Sequence, residues 1–315
     1  MQKLNIREIF LRNIDNFKDK NIIVGFSGGA DSTALLMLFH EFKDYLKINL
    51  EAAHFNHQWR DTAINDQLFC KEFCQKLNIK LNIGYAENYQ VKNLGSAEAN
   101  SREQRLQFFS EFKGFYIALA HHLDDQLENI FIRLIRGTAV EGLVGILNYK
   151  ELKNLKLLRP IIDCSKKDIL TYCNQNNINY IIDPTNQDNK YLRNKIRNIL
   201  LPVLADCDER ATENILKFTK NLTEVQDFLN KIIIEKQIII DNNLIYTNLL
   251  EAENIIKKEA IKKFLILNKY SSTISTKLIE EVLRFIENSK SKTHLIKKDF
   301  IILKQDKLIK IAKFY

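Results

Sequence analysis

The stretch Ser27-Gly28-Gly29-Ala30-Asp31-Ser32 limits what this chain can fold into more than any other. It directly follows the apolar run Ile22-Ile23-Val24-Gly25-Phe26 and directly precedes Thr33-Ala34-Leu35-Leu36-Met37-Leu38, so it reads as strand, tight loop, helix. Two adjacent glycines permit backbone torsions that turn several N–H groups into one concavity. The helix start adds the positive end of its dipole, and the two serines bring hydroxyl donors. A pyrophosphate group fits such a loop; an ordinary tight turn is the other reading. The lysine of GxxxxGK[ST] and the glycine spacing of GxGxxG are both missing, which sets aside two better-known phosphate loops.

Around the loop, short apolar runs alternate with amphipathic stretches. Ile22 to Phe26, Leu50 to Phe55, Lys80 to Tyr85 and Phe115 to Ala120 read as strands; Ser32 to Phe42, Ile64 to Leu77, Ala97 to Phe112 and Asp125 to Ile135 read as helices. Parallel strands need helical crossovers, so the expected fold is α/β, with a Rossmann-like parallel sheet covered on both faces. Beyond Arg159-Pro160 the pattern turns helix-rich, with Lys166 to Asn176 and Tyr191 to Leu204, then three or four helices from about Arg210 to Asn288. The tail, His294 to Lys304 and Leu308 to Phe314, has β character around the turn-like Lys304-Gln305-Asp306-Lys307. The expected domains are 1–207, catalytic, and 208–315, mostly helical with a small β tail.

Charge separates the same two regions. Residues 1–210 hold 28 Lys and Arg against 26 Asp and Glu, whereas residues 211–315 hold 19 against 13, which is +6 of the net +8. A basic appendix on a near-neutral body suits a polyanionic partner, and a Lys-rich solubility surface suits the numbers equally. No apolar run reaches membrane-helix length, and the first 20 residues are interrupted by charge, so a cytoplasmic protein without membrane attachment is expected. The five cysteines are odd in number and lack a CxxC pair, which fits buried thiols instead of a disulfide framework or a zinc ribbon.

The second chemical cluster is Ala120-His121-His122-Leu123-Asp124-Asp125-Gln126-Leu127-Glu128-Asn129, at the C-terminal end of an expected strand. That end is the ligand edge of open α/β sheets. Asp125 and Glu128, three apart on a helix, share a face and can hold an ammonium group or a hydrated magnesium. With His54 and His57 on another strand, a His/Asp metal site is conceivable, although no zinc spacing such as HExxH is present. Acidic residues that complement a helix dipole beside partly buried histidines are the structural alternative. The roles of His54, His57, His121 and His122 stay open at this level.

The loop resembles that of the PP-loop ATP pyrophosphatases, which split ATP to AMP and pyrophosphate. Taken with it, the AHHxDDQxE string resembles the tRNA(Ile)-lysidine synthases within that superfamily. Ser96 to Arg105 is similar to their E-A-x-x-R-x-x-R helix, Arg136 to Leu143 to their R-G-x-G-x-x-G-L loop, and Arg159-Pro160-Ile161 to their R-P-L turn. Asp183-Pro184-Thr185-Asn186 followed by Arg193-Asn194-Lys195-Ile196-Arg197 is similar to D-x-S/T-N with R-N-x-I-R. The matches run in order from about Val24 to Arg197; Ala139, Trp59, Asn129 and Leu106 depart from the pattern without removing a charged or phosphate-gripping group.

The resemblance implies ligation of L-lysine to carbon 2 of the wobble cytidine of an isoleucine tRNA with anticodon CAU, through an adenylated cytidine. It implies ATP and Mg2+ as cofactors, with Ser27, Gly28, Gly29, Ala30, Asp31, Ser32, Arg102, Arg193 and Arg197 on ATP and Asp31 on the magnesium. Asp125 and Glu128 are implied for lysine binding, and Asp31, Asp125, Glu128 and Arg193 for catalysis. Arg102 and Arg105 would touch nucleotide or tRNA phosphate; a surface ion-pair helix with Glu98 is their structural alternative. The basic region after residue 210 is the candidate tRNA contact, and a homodimer is one oligomeric state left open. Rival readings are another PP-loop tRNA-modifying enzyme, such as a 2-thiolation protein, or a non-catalytic adenine-nucleotide sensor.

Overall fold

The computed structural model describes residues 5–58, 63–91, 97–138, 140–152, 154–182, 188–270, 274–288, 290–297 and 300–312, without the side chains of Ala97, Glu98 and Glu141. Trp59, Ser96, Ala139, Asp183-Pro184-Thr185-Asn186 and the Glu98 side chain, all used above, lie outside that description. The chain divides into two compact units, Met1–Arg136 with Gly145–Leu216, and Gly137–Val144 with Lys217–Tyr315.

In the first unit the order is α1 (Ile6–Ile14), β1 (Asn21–Gly25), α2 (Ala30–Leu46), β2 (Asn49–Asn56), α3 (Ala63–Lys76), β3 (Lys80–Tyr85), α4 (Ala97–Phe109), β4 (Tyr116–Ala118) and α5 (Leu123–Arg136). The short α6 (Val140–Leu143) falls in the second unit. Then follow β5 (Tyr149–Leu152), β6 (Leu155–Leu158), α7 (Lys166–Gln175), α8 (Leu192–Lys195), a π-helical turn (Ile196–Leu200) and α9 (Leu201–Cys207). The sheet runs β3-β2-β1-β4-β6-β5, parallel except for the edge strand β5. This is the α/β parallel sheet expected from the sequence, with an antiparallel β5–β6 hairpin added through Asn154 at φ +69°.

Ile22, Ile23 and Val24 of β1 are fully buried, as a central parallel strand covered on both faces requires. α2 follows with Ala34, Leu35, Leu38 and Phe39 buried and closes on Lys47 in the left-handed conformation. α7 begins at Ser165, whose hydroxyl accepts from Asp168 N while Asp168 returns a carboxylate to Ser165 N. Strand order reverses between β1 and β4, because β1 leads through α2 to β2 on one side and β3 leads through α4 to β4 on the other. A crevice at such a switch point is where open α/β sheets bind ligands.

The second unit holds most of α10 (Ala211–Glu235), then β7 (Ile239–Ile240), β8 (Asn243–Ile245), α11 (Tyr246–Leu250), α12 (Asn254–Leu267), α13 (Thr276–Glu287), β9 (Thr293–Lys297), β10 (Phe300–Gln305) and β11 (Leu308–Ala312). Its antiparallel sheet is ordered β7-β8-β11-β10-β9 over a core that includes Ile233, Leu244, Ile261, Phe264, Val282, Ile286, Ile302 and Ile309. The unit is mostly helical with a β tail, as expected, with two corrections. The stretch His294 to Lys304 is two strands, β9 and β10, paired antiparallel. The sheet also recruits β7 and β8, which at two and three residues are too short to carry a periodic signal. Cys70, Cys74, Cys164 and Cys173 are buried free thiols as expected, whereas Cys207 is exposed. Among the described residues no helix is long and apolar enough to cross a membrane.

Candidate active site

The loop after β1 is held by its own serines. The Ser27 amide donates to Ser32 Oγ at 3.2 Å, the two hydroxyls lie 3.1 Å apart, and Ser32 Oγ donates to Gly29 O at 3.0 Å. Thr33 Oγ1 lies 3.1 Å from Gly28 O and 2.9 Å from Gly29 O, tying the helix start back to the glycines. Gly28 has φ +84°, and a Cβ there would stand 2.6 Å from Ile181 Cδ1. Its carbonyl accepts from Ile181 N at 2.8 Å, so the chain after α7 seals the back of the loop. Gly29 caps α2, leaving the first-turn amides of a 17-residue helix aimed into the loop.

Facing the loop, the β4–α5 connection carries His122, only 3% exposed, among three carboxylates. Its Nδ1 is 3.4 Å from Asp124 Oδ2, and its Nε2 is 3.4 Å from Asp125 Oδ2 and 3.8 Å from Asp31 Oδ2. Burial pulls the imidazole pKa down, but Asp124, Asp125 and Asp31 together outweigh it and the net shift is upward. Asp124 and Asp125 respond reciprocally. Burial raises both, and the opposing contacts, with His122 foremost, bring each below the usual carboxylate value. Lys166, the first residue of α7, completes the group: its Nζ lies 2.6 Å from Asp31 Oδ1 and its amide donates to Asp124 Oδ2 at 2.8 Å.

One turn along α5, Glu128 is fully buried. Arg193 Nε donates to its Oε2 at 2.7 Å and Arg197 Nε to its Oε1 at 2.6 Å. Both guanidiniums also approach Asp125 Oδ1, at 3.6 and 3.9 Å. The arginines are four residues apart, spanning α8 and the π-helical turn, so one helix face presents both forks to one carboxylate. Both Glu128 oxygens are thus engaged by arginine, whereas Asp125, 13% exposed at its side chain, meets the same two guanidiniums at longer range and accepts from the His122 amide.

The remaining sequence candidates separate. His54 Nδ1 lies 3.0 Å from Phe26 O, and burial above all lowers its pKa, a structural role under the loop. His57 Nδ1 meets Ser101 Oγ at 2.7 Å, and burial with the nearby Arg105 charge lowers its pKa to about 4. His121 faces arginines: burial, partly opposed by Asp125 and reinforced by Arg159, Arg105 and Arg102, brings its pKa to about 3. Arg102 is exposed on α4 and does not join the Glu128 group. Lys166 and Asp124 were not singled out from sequence; the only signal for Lys166 is its place just after a Ser165 helix cap.

For magnesium, Asp31 offers hard oxygen donors at the loop mouth, with Asp124 on the far side of His122, which suits a cation that takes one or two carboxylates plus phosphate oxygens. Among the described residues no three His, Cys, Asp or Glu side chains form a cage of their own.

The PP-loop domain family matches residues 3–204. The tRNA(Ile)-lysidine synthase of Francisella tularensis subsp. tularensis (strain WY96-3418) is 35% identical over 234 residues, covering 73% of this chain and 57% of that protein. The tRNA(Ile)-lysidine synthase of Clostridium perfringens (strain 13 / Type A) is 38% identical over 223 residues, covering 67% of this chain and 47% of that protein. The chain thus spans about half the length of these curated relatives. Among solved structures, the U34-tRNA thiolase NcsA from Methanococcus maripaludis shares the fold with a TM-score of 0.60 at 19% identity, covering 70% of this chain and 78% of that one.

Proposed function

The chain belongs to the PP-loop family, and on that premise we propose that it is a tRNA(Ile)-lysidine synthase, an ATP-dependent ligase that joins L-lysine to carbon 2 of the wobble cytidine in isoleucine tRNA with anticodon CAU. The observation that carries the reading is the pairing, at one switch point, of a phosphate loop after β1 with an acid and arginine cluster after β4. A two-step ligation needs one group for pyrophosphate and another for the amine. The names of the relatives support tRNA(Ile) as a substrate and the PP-loop family supports ATP; lysine as the amine is part of the proposal.

In the first step the cytidine carbonyl oxygen attacks the α phosphate of ATP, and pyrophosphate leaves toward Ser27, Gly28, Gly29, Ala30 and Ser32. The loop amides and hydroxyls stabilise the negative charge that gathers there. Arg193 and Arg197, held by Glu128, bring positive charge to the transferring phosphoryl group, with Arg102 at the nucleotide side. Asp31 would hold magnesium, which when bound neutralises phosphate charge. In the second step the lysine side-chain amine attacks carbon 2 and AMP leaves. Asp125 orients the side-chain nitrogen, which attacks as the neutral amine after losing one proton to solvent, and accepts the second proton as the carbon–nitrogen bond forms and AMP departs. A wobble base lies in a single-stranded loop and can be presented edge-on, while the surplus of Lys and Arg after residue 210 meets tRNA phosphates.

The 2-thiolation reading is less well supported. The Cys70 and Cys74 thiols are buried and their pKa values raised by that burial, to about 12 for Cys74, so they stay protonated and poorly nucleophilic. The test incubates the protein with ATP, magnesium, radiolabelled lysine and the CAU-anticodon isoleucine tRNA transcript, then measures acid-precipitable label after mild alkaline deacylation. Alkali-stable label is the expected result. Label lost to alkali, or tRNA-dependent AMP formation without label, would overturn lysine ligation.

A further inference from the structure

Away from the crevice, one carboxylate collects polar contacts from two neighbouring helices. Glu41, on α2, accepts from Arg7 Nε of α1 at 2.6 Å on Oε1 and from the Tyr172 hydroxyl of α7 at 3.2 Å on Oε2. The Arg7 guanidinium also lies over the Tyr172 ring, 5.0 Å from its centroid. Its Nη2 donates at 3.1 Å to Oδ1 of Asn176, the residue that caps the C-terminal end of α7. Tyr172 is 3% exposed; burial, and then Glu41, push its phenol up, so it stays protonated and donates. The same helix α1 grips the approach to α7. Arg12 Nη2 donates to Asp163 Oδ2 at 2.7 Å, and Asn13 Nδ2 donates to Pro160 O at 3.0 Å and to Asp163 Oδ2 at 3.1 Å. Thus α1 holds α7 before its first turn and after its last.

Exposed ion pairs contribute little to folding, and the Arg7 and Glu41 side chains are 39% and 35% exposed. The three helices already adhere through buried apolar residues, with Phe10 edge-on to Phe39 at 4.9 Å and Ile169, Tyr172 and Cys173 inside the same core. Apolar contact is non-directional and lets packed helices shear past one another. Hydrogen bonds have set lengths and angles, so contacts on both oxygens of one carboxylate fix where α7 lies along α2.

That position is read out at the other end of both helices. Asp31 and Glu41 stand about 15 Å apart along α2, and Lys166 and Tyr172 about 9 Å apart along α7. At the N-terminal ends Lys166 Nζ meets Asp31 Oδ1 at 2.6 Å, and the Lys166 amide donates to Asp124 Oδ2 at 2.8 Å. A shift of α7 by about 1 Å would carry the ammonium off the loop mouth, and misplacements of that size cost up to about 100-fold in rate.

We propose that Arg7, Glu41 and Tyr172 are positioning residues, which fix α7 against α2 and so aim the Lys166 ammonium at the polyphosphate of the bound nucleotide. The assignment rests on the reading of the loop from Ser27 to Ser32 as an ATP site. None of the three touches a reacting atom; they act through Lys166.

A double-mutant cycle on the full chain tests this, read by calorimetric titration of a non-hydrolysable ATP analogue with magnesium. Tyr172→Phe keeps the ring and removes the hydroxyl, and Glu41→Gln keeps the shape and removes the charge. Each is expected to weaken analogue binding about 3- to 10-fold when Lys166 is present, the range of one hydrogen bond, and by less than about twofold in a Lys166→Met background. A merely structural role gives the same loss in both backgrounds. Unchanged affinity in both variants, equal losses with and without Lys166, or no analogue binding by the parent would overturn the proposal; if one variant fails to fold, the other decides. Failure of the ligase reading looks different: the coupling to Lys166 is intact, yet no alkali-stable lysine reaches tRNA.

Discussion

Lys166 Nζ lies 2.6 Å from Asp31 Oδ1, so the acid of the phosphate loop is already paired with a cation from the first turn of α7. Both side chains are about one-third exposed, at 39% and 30%, and such pairs contribute roughly 1 kcal/mol or less. The pair can therefore open without large cost when a polyphosphate competes for the ammonium. Lys166→Ala is expected to change the urea midpoint little and to raise the KM for ATP about 10-fold in tRNA-dependent AMP formation, with partial recovery in Lys166→Arg. An unaltered KM would make the pair a surface contact only. Asp31→Ala, by contrast, should abolish pyrophosphate release.

Glu128 is the anchor of two arginines, and its loss is expected to cost more than any exposed acid. Glu128→Gln keeps the shape but removes the buried anion from Arg193 and Arg197, which are themselves 38% and 35% exposed and still near Asp125, so a destabilisation of about 1–3 kcal/mol is expected. Activity should fall at least 100-fold, since both forks lose their orientation. Urea unfolding and AMP formation measured on the same variant check both halves; normal stability with normal activity would rule out the anchoring role.

At Gly28 the backbone itself is the requirement. Gly28→Ala meets a positive φ and places a Cβ 2.6 Å from Ile181 Cδ1, so the loop must shift. The expected loss is about 1–3 kcal/mol of stability together with weakened ATP binding. Binding of a non-hydrolysable ATP analogue, followed by calorimetry, should weaken by an order of magnitude or more; parent-like affinity would separate the loop from the nucleotide.

The histidines set the acid side of the stability profile. His57 and His121 have folded pKa values of about 4 and 3, below the ordinary 6.5, so between those limits the unfolded chain takes up protons that the native state refuses. Stability should fall as pH drops from 6.5 toward 4, by roughly 3 kcal/mol for His57 alone. His122 acts in the opposite sense. Its pKa is raised, so its contribution is full below the unfolded value and is lost as pH rises through the folded one. Unfolding free energies at pH 7 and pH 4.5 should differ less in His57→Gln than in the parent; identical differences would remove His57 from the account.

Legibility followed the range of each interaction. The loop from Ser27 to Ser32, the strands β1 to β3 and the helices α2 to α5 were readable because period, glycine pairs and flanking apolar runs are local signals. Asp125 and Glu128 were singled out from their helical spacing, and Arg193 and Arg197 from motif resemblance, but the contacts that join them were not, because a contact 65 or 69 residues apart leaves no periodic trace. Lys166 shows this most plainly: it reaches Asp31 across 135 residues, and nothing in its neighbourhood distinguishes it from any lysine at a helix start.

By itself the sequence determined the α/β class, the phosphate-type loop and the residue types at the crevice, since these follow from local backbone preference and hydrophobic period. Only the tertiary structure decided which charges are paired. The fold gave Glu128 to two arginines, Asp31 to Lys166 and His122 to three carboxylates. Charge pairing depends on distance and burial, and both are set when the C-terminal ends of β1, β4 and β6 are brought side by side.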